Sequence, residues 1–163
     1  PTPEAIATRL GALARINHGQ RILEPSAGTG ALIAAIYARD NCADVQAVEI
    51  NAALVEGLQQ RWSRGNYNFR CLQADFLECN GDLGTFDRIV MNPPFQNGAD
   101  ITHIEHTRHM LKPGGRLVAI CANGPRQRER LRPEAVAWYD LPEGSFKSEG
   151  TNVNAALAVF EAD

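Results

Sequence analysis

Short apolar segments alternate with segments of helical periodicity along most of this chain, and this alternation restricts the fold more than any other feature. The candidate strands, identified by length and by apolar or β-branched content, are residues 21–24, 44–50, 68–74, 86–91 and 116–121. Strands that are separated by helices pair in parallel through right-handed crossovers. We therefore predict an α/β fold with a mostly parallel sheet and helices on both of its faces.

The remaining segments complete a seven-stranded sheet. Helices are expected over residues 3–14, 31–39, 52–61 and 101–111, with Thr2 as the N-cap of the first. The run Lys112-Pro113-Gly114-Gly115 is typical of a turn, and it leads into the fifth strand. Residues 135–140 and 153–160 predict two more strands that pair antiparallel. The last strand of the sheet is therefore expected to be antiparallel.

The length and composition are those of one globular domain. A chain of 163 residues with 44% hydrophobic content fits a single core, and we predict one domain over residues 1–163 without a separate target-recognition domain. No apolar stretch approaches the roughly 20 residues of a membrane span, and no basic-then-apolar leader opens the chain. A cytoplasmic location is the default expectation. Because the numbering starts at Pro1 rather than Met, a flanking domain outside this sequence is left open.

Composition argues against a metal site and against general nucleic-acid binding. The four cysteines form no Cys-x-x-Cys pair, and His103, His106 and His109 have no cysteine or carboxylate at ligand spacing. We predict no metal and expect these histidines to be partly exposed on a helix. A net charge of −3 is unfavourable for phosphate binding, which depends on Lys and Arg. The one candidate patch is the arginine-rich segment 126–132, which is also typical of a solvated helix face.

A glycine-containing turn, residues 24–30, follows the first strand. Ligands of open α/β sheets bind beyond the carboxyl ends of the strands, where such a turn exposes backbone amides. Ile33 replaces the small residue that a pyrophosphate site requires, and no Gly-Lys-Ser/Thr follows. Glu49 ends the second strand, where a carboxylate can accept hydrogen bonds from both ribose hydroxyls. Asp75-Phe76 follows the third strand, where the carboxylate could accept a hydrogen bond from an adenine amine while the Phe76 ring packs beside the base. A nucleoside without phosphates fits these pieces; a turn that binds nothing is the alternative.

The tetrapeptide Asn92-Pro93-Pro94-Phe95 comes directly after the fourth strand. Each proline fixes its φ near −65° and has no N–H, so the turn can aim the Asn92 amide oxygen and the Pro93 carbonyl at one point. Two acceptors that converge there would hold a planar –NH2 group and stabilise positive charge that develops on its nitrogen. The alternative is a strand-end turn without activity.

Several motifs together resemble a known family. Thr2-Pro3-Glu4, residues 23–30, residues 48–51, residues 74–76 and Asn92-Pro93-Pro94-Phe95 occur in the order found in class I S-adenosylmethionine-dependent methyltransferases. More narrowly, the chain resembles the amino-methylating DNA adenine methyltransferases of the gamma arrangement. The resemblance covers residues 2 to 121 well and the tail more loosely. It implies a Rossmann-like methyltransferase fold, S-adenosylmethionine as cofactor, and DNA as a partner that is methylated on the exocyclic amine of adenine.

The resemblance also implies roles for individual residues. Thr2 matches a position that helps to hold the methionine carboxylate, and the loop residues Glu24, Pro25, Ala27, Gly28 and Gly30 match the segment that lines the amino acid moiety. Glu49 matches the ribose acceptor, Ile50 an apolar wall of the adenine pocket, Asp75 the acceptor for the adenine amine, and Phe76 its packing partner. Asn92, Pro93, Pro94 and Phe95 match the catalytic tetrapeptide, in which Asn92 also contacts the cofactor and Phe95 stacks on the extruded base. Phe146 matches a second clamp on that base.

The sequence leaves the acceptor open. The same tetrapeptide serves adenine in DNA or RNA, the exocyclic amine of guanine, and the side-chain amide of glutamine in proteins. The segment Leu-Glu-Pro-Ser-Ala at residues 23–27, which leads into the glycine-containing turn, favours adenine in DNA. No target-recognition segment is visible in the sequence. The choice of target sequence would therefore depend on a flanking domain or a partner, or it would be relaxed. The alternative of another class is a nucleoside-binding or protein-interaction module that keeps the fold without turnover.

Overall fold

A computed structural model describes residues 1–163, and its centre is one seven-stranded sheet. The strands are β1 Arg21–Glu24, β2 Asp44–Glu49, β3 Asn68–Gln73, β4 Phe86–Met91, β5 Leu111–Ala122, β6 Ala137–Asp140 and β7 Ala155–Glu161. Their order across the sheet is β3-β2-β1-β4-β5-β7-β6. The first five strands pair in parallel, whereas β7 is antiparallel to both of its neighbours. The predicted mostly parallel sheet with an antiparallel last strand is confirmed.

Five α-helices cover the two faces of this sheet. They are α1 Glu4–Leu13, α2 Ala31–Arg39, α3 Ala52–Trp62, α4 Ala99–Arg108 and α5 Pro125–Arg130. Alternate residues of the central strands point to opposite sides, so Ile22 packs with α1 to α3 while its neighbour Leu23 packs with α4. The predicted helices on both faces are thereby confirmed. None of the helices has the length and apolar content that a membrane crossing needs.

Three predicted local features are wrong. Thr2 does not cap α1: Pro3 occupies the N-cap position, and no side chain caps the helix. The helix predicted to reach residue 111 ends at Arg108, because Leu111 already pairs with Phe86 in the sheet. The turn predicted at residues 112–115 lies inside β5, where these four residues form a bulge opposite one residue of β4. Other helix and strand ends differ from the prediction by one or two residues.

The motifs singled out in the sequence meet at one edge of the sheet. β1, β2, β3 and β4 lead directly into residues 25, 50, 74 and 92, so each motif follows the carboxyl end of its strand. The chain moves outward from β1 to β2 and β3, and then crosses back to place β4 on the other side of β1. Such a switch point opens a crevice beyond the strand ends, which is where ligands of open α/β sheets bind.

Candidate active site

The loop after β1 is held in place by glycine conformations and by two carboxylates. Gly28 and Gly30 have φ values of 55° and 87°, which favour glycine. Ser26 N donates to Glu24 Oε1 at 2.9 Å, and Gly28 N donates to Glu49 Oε2 at 2.7 Å. Since Glu24 ends β1 and Glu49 ends β2, the loop is tied to both strands.

Two neighbouring cavities open at this edge and share Ser26. The Gly28 hollow, of about 170 Å³, is lined by Thr2, Glu24, Ala27, Gly28 and Asn92 among others. The Glu49 hollow, of about 350 Å³, is lined by Pro25, Glu49, Ile50, Asp75, Phe76, Pro94 and His103 among others. Most of the residues singled out in the sequence therefore line one of these two neighbouring hollows. Neither hollow is lined by Gly30, Pro93, Phe95 or Phe146.

Glu24 dominates the electrostatics of the Gly28 hollow. Its side chain is only 1% exposed, and burial, with a contribution from the charge of Glu49, raises the pKa of its carboxyl to about 8. No lysine or arginine lines the hollow. A cationic group that enters would favour the carboxylate and displace the proton, so this hollow is suited to a positively charged ligand group.

The Glu49 hollow combines carboxylate acceptors with apolar walls. Glu49 accepts from Gly28 N and, at 2.8 Å, from Asn51 N, which leaves each of its oxygens free to accept once more. Asp75 Oδ1 accepts from Leu77 N at 3.0 Å, and its Oδ2 makes no hydrogen bond. Ile50, which is 66% exposed, and the buried ring of Phe76 supply apolar surface. Hydroxyl and amine donors on a flat ring system fit this arrangement.

Asn92 connects the end of β4 to the start of the chain. Its Nδ2 donates to Thr2 Oγ1 at 2.9 Å, which orients the amide. The Oδ1 atom has no hydrogen-bond partner, and neither has the Pro93 carbonyl oxygen. Two unpaired oxygens thus lie on consecutive residues, of which Asn92 lines the Gly28 hollow. Their convergence on an acceptor amine stays a prediction.

Two aromatic rings lie next to the tetrapeptide. Phe95 and Phe146 pack edge to face, with ring centroids 6.0 Å apart and an interplanar angle of 85°. Phe95 is partly exposed, whereas Phe146, in the loop between β6 and β7, is only 2% exposed. The Phe146 ring supports Phe95 in this conformation and offers no open face. A role as a base clamp stays a prediction and requires the two rings to separate.

The expectation that the three histidines are partly exposed is wrong for His103. His103 is 9% exposed and lines the Glu49 hollow, His106 is partly buried, and His109 is exposed. A spacing of three residues places side chains on one side of a helix but does not say what covers that side. Packing of α4 beside Phe76, with ring centroids of Phe76 and His103 6.0 Å apart, is what buries His103. No sequence signal identified this contact.

The predicted absence of a metal stays a prediction. One group of potential ligands, His18, Asp40 and Cys42, has donor atoms within 4.8 Å of one another. It lies at the amino ends of β1 and β2, on the opposite edge of the sheet from the two hollows. Asp40 there accepts hydrogen bonds from the backbone amides of Gly19 and Cys42, which accounts for its position.

Comparison with known proteins identifies the family. The family model described as "Methyltransferase small domain" matches residues 6–136. The chain belongs to this family. This Methyltransferase small domain is 32% identical over 135 residues to the tRNA1(Val) (adenine(37)-N6)-methyltransferase of Vibrio vulnificus, covering 82% of this chain and 55% of that protein. It is 28% identical over 116 residues to the rRNA N(6)-adenosine-methyltransferase metl-5 of Caenorhabditis elegans, covering 66% of this chain and 54% of that protein.

A solved structure supports the fold of this methyltransferase domain. TrmN from Thermus thermophilus superposes with a TM-score of 0.80 at 20% identity, over 98% of this chain and 49% of that one. The chain spans about half the length of the curated relatives it matches. Its cofactor is S-adenosylmethionine. The residues fit this group, because the Gly28 hollow holds a buried carboxyl without a basic side chain and the Glu49 hollow offers acceptors between apolar walls.

Proposed function

We propose that this domain transfers a methyl group from S-adenosylmethionine to the exocyclic amine of adenine in a nucleic acid. One observation carries the proposal: Asn92, whose amide oxygen is unpaired, shares a hollow with Glu24 and Gly28. The acceptor for an amine and the predicted binding surface for the methionine portion of the cofactor are thus side by side. The class I methyltransferase family supports the same reaction.

The chemistry that the chain itself supplies is positioning and charge stabilisation. An amine conjugated to an aromatic ring is nearly planar, and acceptors at Asn92 Oδ1 and the Pro93 carbonyl would hold its two hydrogens and tilt its lone pair out of the ring plane. The same oxygens stabilise the positive charge that develops on the nitrogen. The bound cofactor supplies an electrophilic sulfonium methyl. Alignment and exclusion of water complete the contribution of the protein, and no strong base is needed before attack.

The base must leave its stack to reach this site. Extrusion costs a few kcal/mol in a duplex and least for a base that is already single-stranded. Stacking on the partly exposed ring of Phe95 would offset part of that cost, at about 1–3 kcal/mol per base. Single-stranded adenines are therefore the first substrates to test. The sequence resemblance favours DNA, whereas the two relatives compared above are named for adenines in tRNA and rRNA.

Arg126 is placed to contact a phosphate near the tetrapeptide. It is exposed and makes no ion pair, and its Nη1 lies 3.4 Å from the position that a Cβ on Gly98 would take. Arg130 on the same helix is instead paired with Glu105 at 2.7 Å. Since the whole chain carries a net charge of −3, a local contact of this kind is what nucleic-acid binding requires. We also propose that a flanking domain or a partner selects the target sequence, and that the protein acts in the cytoplasm.

Asn92→Ala tests the division of roles at the site. We expect methyl transfer to fall by at least about 100-fold, the scale for loss of a positioned oxyanion-type or charge-stabilising group. Affinity for S-adenosylhomocysteine, measured by calorimetry, should stay nearly unchanged, because Glu24, Glu49 and Asp75 remain. Gln96→Ala, an exposed substitution four residues away, is the control and should retain activity. An equal loss of binding and transfer in Asn92→Ala contradicts the assigned role.

The acceptor is identified by transfer of tritiated methyl groups to matched substrates. Adenine-containing single strands of DNA and of RNA are compared with strands in which every adenine is already N6-methylated, with guanine-only RNA, and with a glutamine-containing peptide. Transfer to an adenine strand that prior methylation blocks supports the proposal. Transfer only to guanine or glutamine overturns it, and cofactor binding without transfer to any substrate favours a non-catalytic module.

A further inference from the structure

His103 is the one residue of the Glu49 hollow with an unexplained buried polar atom. Its Nδ1 is shielded from solvent and has no hydrogen-bond partner, the only such side-chain nitrogen or oxygen in residues 1–163. Its ring makes no hydrogen bond through Nε2 either, although Nε2 is not sealed in the same way. Buried polar groups without partners are rare in folded proteins, and each one calls for an explanation.

Burial determines the protonation of this ring. Loss of solvent lowers the pKa of His103, so the imidazole is neutral at neutral pH. A neutral imidazole has one N–H donor and one acceptor nitrogen. Orphaned buried N–H groups are rarer than under-satisfied acceptors. The proton therefore belongs on Nε2, and Nδ1 is left as an unpaired acceptor. His103 thus offers a hydrogen-bond donor to the hollow that it lines.

The neighbours of His103 define what this donor can recognise. Asp75 lines the same hollow, has a free Oδ2 acceptor, and is close enough for its charge to act on the His103 ring. Phe76 and Ile50 supply apolar surface there. An acceptor beside a donor between apolar walls matches adenine, in which the exocyclic amine donates and the adjacent ring nitrogens accept. Hypoxanthine has an oxygen in place of the amine and a hydrogen on N1, so it offers two acceptors on its N7 side and a donor at N1, and neither side matches.

We propose that His103 is a cofactor-specificity residue that donates a hydrogen bond from Nε2 to a ring nitrogen of the cofactor adenine, beside its exocyclic amine. Asp75 accepts from the amine, and the two side chains together distinguish adenine from other purines. The role concerns the cofactor alone. It therefore stands or falls independently of which acceptor base is methylated.

A calorimetric comparison of cofactor analogues tests the role. His103→Phe, which keeps a ring of similar size without a donor, should bind S-adenosylhomocysteine about 3- to 10-fold more weakly, the effect of one net hydrogen bond. The 7-deaza and 1-deaza analogues each lack one of the two ring nitrogens beside the amine. The wild type should lose affinity by a similar factor for the analogue that lacks the nitrogen bound by His103. His103→Phe should bind that analogue as tightly as it binds S-adenosylhomocysteine. Equal losses in both proteins for both analogues overturn the proposal.

Additional variants separate recognition from structural damage. His103→Gln keeps a side-chain N–H donor and should restore most of the affinity, whereas His109→Phe, on the exposed end of the same helix, should leave it unchanged. His103→Phe should not lower the melting temperature of the unliganded protein, because it removes an unpaired buried polar atom. A large drop in stability together with uniform loss of binding indicates a packing role and refutes the proposal.

Nuclear magnetic resonance of the wild type gives a readout that needs no variant. The chain has four histidines, so their ¹⁵N side-chain signals can be resolved and assigned. We expect His103 to be the neutral Nε2–H tautomer without ligand and its Nε2–H signal to shift when S-adenosylhomocysteine binds. An Nδ1–H tautomer, or a signal that does not respond to the ligand, excludes the proposed hydrogen bond.

Discussion

Replacing Gly30 by alanine tests how the loop after β1 is held against α3. The residue has a φ of 87°, a conformation that costs an L-residue roughly 1–2 kcal/mol. A Cβ on Gly30 would also lie 2.5 Å from two ring atoms of Trp62 and 2.8 Å from Leu58 Cδ2. Overpacking of this kind typically costs about 1–3 kcal/mol. The two effects together predict a loss of roughly 2–5 kcal/mol in the free energy of unfolding.

Two matched glycines separate the contributions. Gly19 has a φ of 70° with nothing within 4 Å of its added Cβ, so Gly19→Ala should show the conformational cost alone, about 1–2 kcal/mol. Gly57 is an exposed residue inside α3 without a positive φ or a close neighbour, so Gly57→Ala should stabilise the protein by about 1 kcal/mol. The three variants are predicted to differ in size and in sign although the chemical change is identical.

Thermal and urea unfolding measure these differences. In a protein of this size each kcal/mol shifts the melting temperature by about 2–4 °C, so Gly30→Ala should melt well below Gly19→Ala. Trp62→Leu removes the two ring atoms that the new methyl group would meet, and its combination with Gly30→Ala should be less harmful than the sum of the two changes. Strictly additive effects, or a Gly30→Ala protein as stable as Gly19→Ala, would refute the assigned contact with Trp62.

Four other predictions concern ligand binding and stability. Because the unliganded protein holds the Glu24 proton up to about pH 8, above the ordinary value of 4.5, affinity for S-adenosylhomocysteine should rise with pH up to about 8, and Glu24→Gln should remove that dependence in calorimetric titrations. The same shift means that the contribution of Glu24 to stability is complete below pH 4.5 and is lost as pH rises through about 8, which urea unfolding at several pH values measures. In fluorescence anisotropy, Arg126→Ala should weaken nucleic-acid binding and reduce the slope of log affinity against log salt concentration by about 1. Arg130→Ala removes an arginine that is already paired with Glu105, so it should change the affinity and the slope less. Phe146→Ala should destabilise the domain by about 3–5 kcal/mol in urea, because the ring is buried against Phe95; an unaffected midpoint contradicts that packing.

Much of the fold follows from local patterns. The segments from Arg21 to Met91 have strand or helix periodicity that depends only on neighbouring residues, and their bounds differ from the structure by a residue at most. Longer-range events account for the larger errors. Residues 112–115 look like a turn between elements, but pairing of Leu111 with Phe86 extends β5 across them. The early start of a strand depends on its partner, which is distant in sequence.

The chain order of the motifs placed Glu24, Glu49, Asp75 and Asn92 at one edge of a parallel sheet, since each follows a strand and parallel strands end together. The sequence alone therefore determined the fold class and the neighbourhood of the candidate site. Only the tertiary structure decided that Thr2 bonds Asn92 across 90 positions, that Phe146 is closed against Phe95, and that His103 is buried beside Phe76. Periodicity indicates which side of a helix or strand a residue occupies, but burial and pairing depend on which distant element packs against that side.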